Sequence, residues 1–264
     1  MNRLLVLLTG AGGRLGSVIL DELSDTWDII PVFGSGEGPL QGFDLLSSTR
    51  RRELLGLRFD LAVNAAAISS PAECRERPAV CLLVNTLWPR LLAGVCRGRS
   101  VPFVHFSSDL VYSGANPPYD ETSHAVPLSF YGWSKLAADE MVMRANPDAL
   151  VVRTSVLCGE TRSKRTTFSH DVLCGRIRNV WVDSWRNHTP VRWLARLLPE
   201  LLERGRSGLV IASGKCARTR AAYAEALLRA HGMPTDHLIL EYSPPGIPSS
   251  LDLRGTHSTG DDIV

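Results

Sequence analysis

The chain has 264 residues, is 44% hydrophobic and carries a formal net charge of +2. That is enough apolar material for one sizeable core with a small appended lobe. The near-neutral charge excludes nucleic acid or an anionic membrane as the expected main partner.

Taken in chain order, apolar runs of strand length alternate with longer helical patterns. Strands are predicted at Leu4–Leu8, Ile29–Phe33, Leu61–Asn64, Phe103–Ser107 and Leu150–Arg153. Each is a continuous Val/Ile/Leu/Phe-rich run, as expected for strands buried on both faces. Helices are predicted near 14–24, 49–57, 78–97, 130–145, 191–204 and 219–231, with Pro89 kinking or dividing the third. The alternation predicts an α/β, Rossmann-type doubly wound parallel sheet. Residues 1–155 form the main sheet domain on this reading. Residues 156–242 form a smaller substrate-binding lobe, with a short strand at Leu209–Ala212 crossing back to the sheet. The proline-rich residues 243–264 are expected to be an extended or partly disordered tail. The triplet Arg50-Arg51-Arg52 reads as a solvated helix face.

Leu4–Leu8 is too short for a signal-peptide core, and no stretch is expected to reach the ~20 apolar residues of a membrane span. Six cysteines at 74, 81, 96, 158, 174 and 216 lack CxxC spacing and read as scattered thiols of a reducing compartment. A cytoplasmic protein without a metal site is expected.

Thr9-Gly10-Ala11-Gly12-Gly13-Arg14-Leu15-Gly16 directly follows the first strand and opens the first helix. Gly10 permits the tight turn, Gly13 the approach of a pyrophosphate, and Gly16 close helix–strand packing. The diphosphate would sit at a helix N-terminus, where free N–H groups and the dipole favour anions. Gly10, Gly13, Arg14 and Leu15 are therefore candidate cofactor contacts. The second strand ends in Phe33-Gly34-Ser35-Gly36, with no carboxylate to take a ribose 2′-hydroxyl until Glu37. With Arg14 available for a 2′-phosphate, NADP(H) is favoured and NAD(H) remains allowed. Gly34 and Ser35 lie where the adenosine ribose would be, Asp44 and Leu45 could meet the adenine edge, and Ala65, Ala66 and Ala67 leave room for a cofactor.

Tyr131-Gly132-Trp133-Ser134-Lys135 places a phenol and an ammonium one turn apart on one helix face. A cation held nearby lowers the phenol pKa, and the phenol can then protonate a carbonyl oxygen while hydride reaches the carbon. Lysine is rare in this chain: three of the 29 basic residues. Ser108, at the carboxyl end of the fourth strand, could hold the carbonyl against Tyr131.

Together these residues resemble the extended short-chain dehydrogenase/reductase superfamily, and within it the dTDP-4-dehydrorhamnose reductase family. The resemblance lies in TGAGGRLG (9–16), DLAVNAAA (60–67), RPAVCLLVNTLWPRLLA (77–93), VPFVHFSSDLVYSG (101–114), PPYDETSHAVPLSFYGWSKLAADE (117–140) and LVVRTS (150–155). It implies a catalytic triad of Ser108, Tyr131 and Lys135, a nicotinamide cofactor that Tyr131 and Lys135 also contact, and a nucleotide-linked 4-keto-sugar as substrate. Ser108, Asp109, Leu110, Val156, Arg153 and Arg186 are the candidate substrate residues, with Arg153, Arg186 and Arg192 offered to a diphosphate. The chain departs from the family where Leu110 replaces an aromatic, Val156 replaces a pocket Trp and Trp193 stands where an Asp is usual. It is also similar to the regulatory β-subunit family of methionine adenosyltransferase, which implies a second reading: a non-catalytic NADP-binding partner subunit. A third reading is another enzyme on this scaffold, a sugar-nucleotide epimerase or a 4,6-dehydratase. A homodimer is compatible with all three.

Overall fold

The computed structural model describes residues 3–34 and 47–259. A seven-stranded sheet is built from β1 (Leu4–Thr9), β2 (Trp27–Val32), β3 (Leu61–Asn64), β4 (Phe103–Ser108), β5 (Leu150–Thr154) and two later strands. Its helices are α1 (Arg14–Leu23), α2 (Ser48–Gly56), α3 (Pro71–Glu76), α4 (Pro78–Leu82), α5 (Trp88–Arg99) and α6 (Phe130–Ala145). Beyond β5 the chain forms β6 (Val156–Cys158), α7 (Phe168–Leu173), β7 (Asn179–Trp181), β8 (Trp185–Pro190), α8 (Val191–Glu203) and β9 (Gly208–Ser213). It ends in β10 (Ala217–Thr219), α9 (Arg220–Ala230), β11 (Ile239–Glu241), β12 (Ser250–Leu251) and β13 (His257–Ser258).

The main sheet has the order β13-β9-β5-β4-β3-β1-β2, and every pairing in it is parallel. Strand alternation splits the core into two layers. Val6, Leu8, Val63, Val104, Phe106 and Val152 face α1 and α8. Leu7, Ala62, Phe103 and Val151 face Leu54 of α2, Trp88 and Leu92 of α5 and Val142 of α6. The Rossmann-type doubly wound sheet is therefore present, and its order reverses between β1 and β3. Ligands of such sheets bind at the carboxyl ends of the strands flanking that reversal.

The helix expected over 78–97 is one 22-residue helical run, Pro78–Arg99, widened by a π turn at Leu83–Leu87. Pro89 has no N–H to give to the carbonyl four residues back, and the π turn sits just ahead of it. By length and composition alone this run could cross a membrane, so the expectation that no such stretch exists needs amending. One face of it, through Trp88, Leu92, Ala93 and Cys96, is core of the main domain.

The second lobe has its own sheet, β10-β8-β12 with β6 on β8, and a β7–β11 pair. Its core joins Cys158, Val172, Val180, Tyr223, Ala224, Leu227 and Leu228. Strands of two or three residues carry no readable alternation, which is why most of these escaped the sequence. The tail is also more integrated than expected. Leu251 and Leu253 are buried, β12 pairs with β8, and β13 completes the main sheet beside β9. Apolar residues spaced through a Pro-rich segment supply anchors even where no helix can form.

Candidate active site

The turn after β1 is built around Gly10. Its φ is +83°, and a Cβ there would lie 2.5 Å from the backbone of Ala65 and Ala66. Only glycine lets the β1–α1 turn rest against the exit of β3. Gly13 caps α1 with no side-chain hydrogen bond, so the first N–H groups of the helix lack a side-chain partner. With half-buried Ala65, Ala66 and Ala67 alongside, this cradle fits the diphosphate of a dinucleotide. Gly34 is exposed just beyond β2, whereas Ser35, Asp44 and Leu45 lie outside the described residues.

The side chains of two expected cofactor contacts also have partners within the chain. Leu15 is buried in the core between α1 and the sheet, because the apolar stripe of α1 begins there. Arg14 donates from Nε to the Thr166 carbonyl at 2.6 Å, and its charge is felt by Arg165, Asp171 and Tyr131. It thus ties the glycine turn to the second lobe through Nε.

The turn at the end of β4 meets the start of α6. A Cβ on Gly132 would sit 2.2 Å from the Leu110 carbonyl oxygen, so glycine is what lets α6 close on this turn and carry Tyr131 to it. Burial pushes the Tyr131 phenol up to about 12, and hydrogen bonding with Ser108 and the charge of Arg186 oppose the rise. Ser108 Oγ also accepts from the Leu110 amide at 3.2 Å. Half-buried Leu110 packs beside Tyr131. Val156 is half-buried on β6 as the register partner of His188.

Lys135 does not direct its ammonium at the phenol. It is fully buried, donates to the Phe106 carbonyl at 2.7 Å, and lies 3.3 Å from His105 Nε2. Burial pulls it down to about 8, against the favourable charge of Asp139. The cations that act on the Tyr131 phenol are Arg186 and Arg14.

Four residues offered to the substrate have side-chain partners within the chain. Asp109 is buried, accepts two 2.6 Å hydrogen bonds from Arg186 and takes another from the Ser155 hydroxyl. Arg153 is buried against Asp139 (2.9 Å) and the Tyr112 hydroxyl (2.9 Å), so it faces no diphosphate. Arg192 pairs with Glu22 at 3.0 Å on the far helix layer. Isolated arginines in a sequence look alike whether they meet a phosphate or a distant carboxylate, which explains these errors.

Several site features went unread. Asn85 in the π turn accepts from the Ile68 amide (2.8 Å) and donates to the Ile68 carbonyl (3.1 Å) and Ser134 (3.0 Å). It thereby clamps the segment after β3 to α6. Cys74 and Cys81, seven residues apart, touch at 2.8 Å between sulfurs. Thr9, Asn64 and His105 join Lys135 through contacts of 2.6, 2.9 and 3.3 Å. The available signal was a polar residue closing each of β1 and β3 and a histidine within β4. Among the described residues no group of three or more His, Cys, Asp or Glu could hold a metal ion.

The family profile described as the RmlD substrate binding domain matches residues 3–244. The chain belongs to this family. A probable low-salt glycan biosynthesis reductase, Agl14 of Haloferax volcanii, is 36% identical over 159 residues, 58% of this chain and 53% of that protein. The chain thus matches about half the length of that relative. Methionine adenosyltransferase 2 subunit beta of Xenopus tropicalis is 27% identical over 245 residues, 88% of this chain and 73% of that one. The structure of dTDP-4-dehydrorhamnose reductase from Bacillus anthracis in complex with NADP superposes with a TM-score of 0.82 at 21% identity, over 96% of this chain and 90% of that one. The chain therefore shares its fold with a reductase and aligns over most of its length with a subunit of methionine adenosyltransferase.

Proposed function

We propose that this protein is an NAD(P)H-dependent reductase of a nucleotide-linked keto-sugar, acting through Ser108, Tyr131 and Lys135. The observation that carries the reading is the hydrogen-bonded Ser108–Tyr131 pair at the exit of β4, beside a glycine cradle shaped for a dinucleotide. A bound nicotinamide cofactor supplies hydride. The α1 N-terminus with Gly10 and Gly13 holds its diphosphate, and the third N–H of Lys135 is free for its ribose. Ser108 orients the substrate carbonyl by a hydrogen bond to its oxygen. The buried phenol keeps its proton at neutral pH and releases it only to a strongly basic oxygen, which a carbonyl becomes as it is reduced. NADP(H) is the favoured cofactor because β2 ends without a carboxylate. Leu110 and Val156, smaller than the family's aromatics, suit a differently shaped keto-sugar than dTDP-4-dehydrorhamnose.

Elimination of water, as in a 4,6-dehydratase, needs a further proton carrier after Ser108. Asp109 is locked by Arg186 and Leu110 transfers no proton, so no dehydration is expected. The longer alignment with the β subunit favours a partner-subunit role as the second reading. Exposed Leu82, Leu87 and Leu91, together with exposed Trp133 and Met141, support self-association, to be checked by light scattering.

The test is NADPH oxidation with a panel of nucleotide-linked 4-keto-sugars, for wild type and Tyr131→Phe. Loss of the positioned acid should cost ~100- to 10,000-fold in kcat with cofactor binding retained. Near wild-type turnover by Tyr131→Phe would remove the assignment. No turnover on any sugar, together with a stable complex with another enzyme, would move the conclusion to the regulatory reading.

A further inference from the structure

Four buried polar side chains form one file across the sheet. Thr9, Asn64 and His105 are register partners on β1, β3 and β4, and each is 0% exposed. They share the face that carries Leu7, Ala62 and Phe103, which is the face covered by α6 and Lys135. Polar atoms in such an apolar layer cost free energy unless all are matched. The file must therefore run in a consistent direction of donation.

Only two directions exist. Burial and the neighbouring Lys135 hold the His105 pKa well below its ordinary value, so the ring is neutral with one N–H and one lone pair. If His105 Nδ1 accepts from the Asn64 amide, Nε2 carries the proton and meets an ammonium that can only donate. If Asn64 instead presents its oxygen to Nδ1, its amide nitrogen donates to Thr9 Oγ1, and the Nε2 lone pair faces Lys135. The oxygen and nitrogen of an amide exchange places without moving other atoms. This second direction matches both ring nitrogens of His105 and the Lys135 ammonium, and it gives Lys135 a second acceptor besides the Phe106 carbonyl.

We propose that His105 is a positioning residue: a neutral Nδ1–H imidazole that accepts a hydrogen bond from Lys135 and so holds it as an oriented ammonium. The functional consequence rests on the reading of Lys135 as a cofactor-holding group. Lys135 is otherwise faced by Asp139 of its own helix and by Cys74 and Cys81 of α3 and α4; Asp139 is itself paired with Arg153 of β5. An acceptor favours the charged lysine, so removing it lowers the lysine pKa from its value of about 8. Loss of the ammonium then moves to lower pH.

The experiment combines nitrogen NMR with two substitutions in the full chain. His105→Gln can place an amide oxygen near the Nε2 position, whereas His105→Asn reaches only the Nδ1 position. The expected wild-type spectrum shows His105 protonated at Nδ1 alone through neutral pH. The Lys135 titration, and with it the alkaline limbs of NADPH binding and kcat/KM, should fall by about one pH unit in His105→Asn, a tenfold change in the protonation equilibrium, and stay near wild type in His105→Gln. A ring protonated at Nε2 in the wild type overturns the proposal even if neither variant folds, and so does an unmoved lysine titration in a folded His105→Asn. If tautomer and titration behave as expected while Tyr131→Phe keeps its turnover, the positioning role stands and the catalytic reading alone falls.

Discussion

Arg153 offers a sharp test of structure against sequence pattern. As a substrate residue it would tolerate Arg153→Met with little loss of stability and a raised KM. In the structure its Nε is 2.9 Å from Asp139 Oδ2, with side-chain exposures of 5% and 0%. Its Nη1 meets Tyr112, over whose ring the guanidinium lies at 5.2 Å. Removing it strands a carboxylate with no access to water, a change that costs about 3–5 kcal/mol for a buried pair. With a urea slope of about 3 kcal/mol/M, the unfolding midpoint should fall by roughly 1–2 M. Replacing both partners, Arg153→Met with Asp139→Leu, should recover much of that loss, since a buried ion pair is often matched by apolar packing of similar volume. The assay is urea unfolding followed by circular dichroism, alongside steady-state kinetics. A midpoint within about 0.3 M of wild type for Arg153→Met, with KM for the nucleotide sugar raised, would refute the reasoning and return Arg153 to the substrate site.

Three further outcomes follow from the same geometry. Gly10→Ala should both destabilise the fold and abolish measurable NADPH binding by calorimetry, because its Cβ has no space beside Ala65 and its φ is left-handed; unchanged binding would show that the turn can shift. His188 is buried, stacked on Tyr223 at 3.8 Å, and held neutral down to about pH 3 by burial and nearby Arg186. Its folded pKa is lowered, so the unfolded chain binds the proton first and stability drains as pH falls from 6.5 toward 3. Wild type should lose up to about 1.4 kcal/mol per pH unit more than His188→Phe across that window, and parallel stability curves would exclude the effect. Finally, Val156→Trp should improve kcat/KM for dTDP-4-dehydrorhamnose relative to other keto-sugars by about 10- to 200-fold; a wild type that already prefers that substrate would make the pocket argument void.

The sequence by itself determined the sheet. Runs such as Leu61–Asn64 and Phe103–Ser108 are rich in apolar residues on both faces, and a parallel sheet covered by helices is the arrangement that buries both. It also determined the glycine turn and the Tyr131/Lys135 spacing, because turn sterics and helix periodicity act over a few residues. Pairing over long range was not legible. The same residue type, arginine, ends against Asp139 at position 153, against Asp109 at 186 and against Glu22 at 192, and nothing local separates a phosphate ligand from an ion-pair partner. Thr9, Asn64 and His105 are 55 and 41 residues apart in sequence. They become one file only because the strand order reverses between β1 and β3, placing three unremarkable polar residues in the same register under Lys135. Burial then decides their chemistry: in a layer closed to water each must find its partner within the protein, and the fold alone chooses which one.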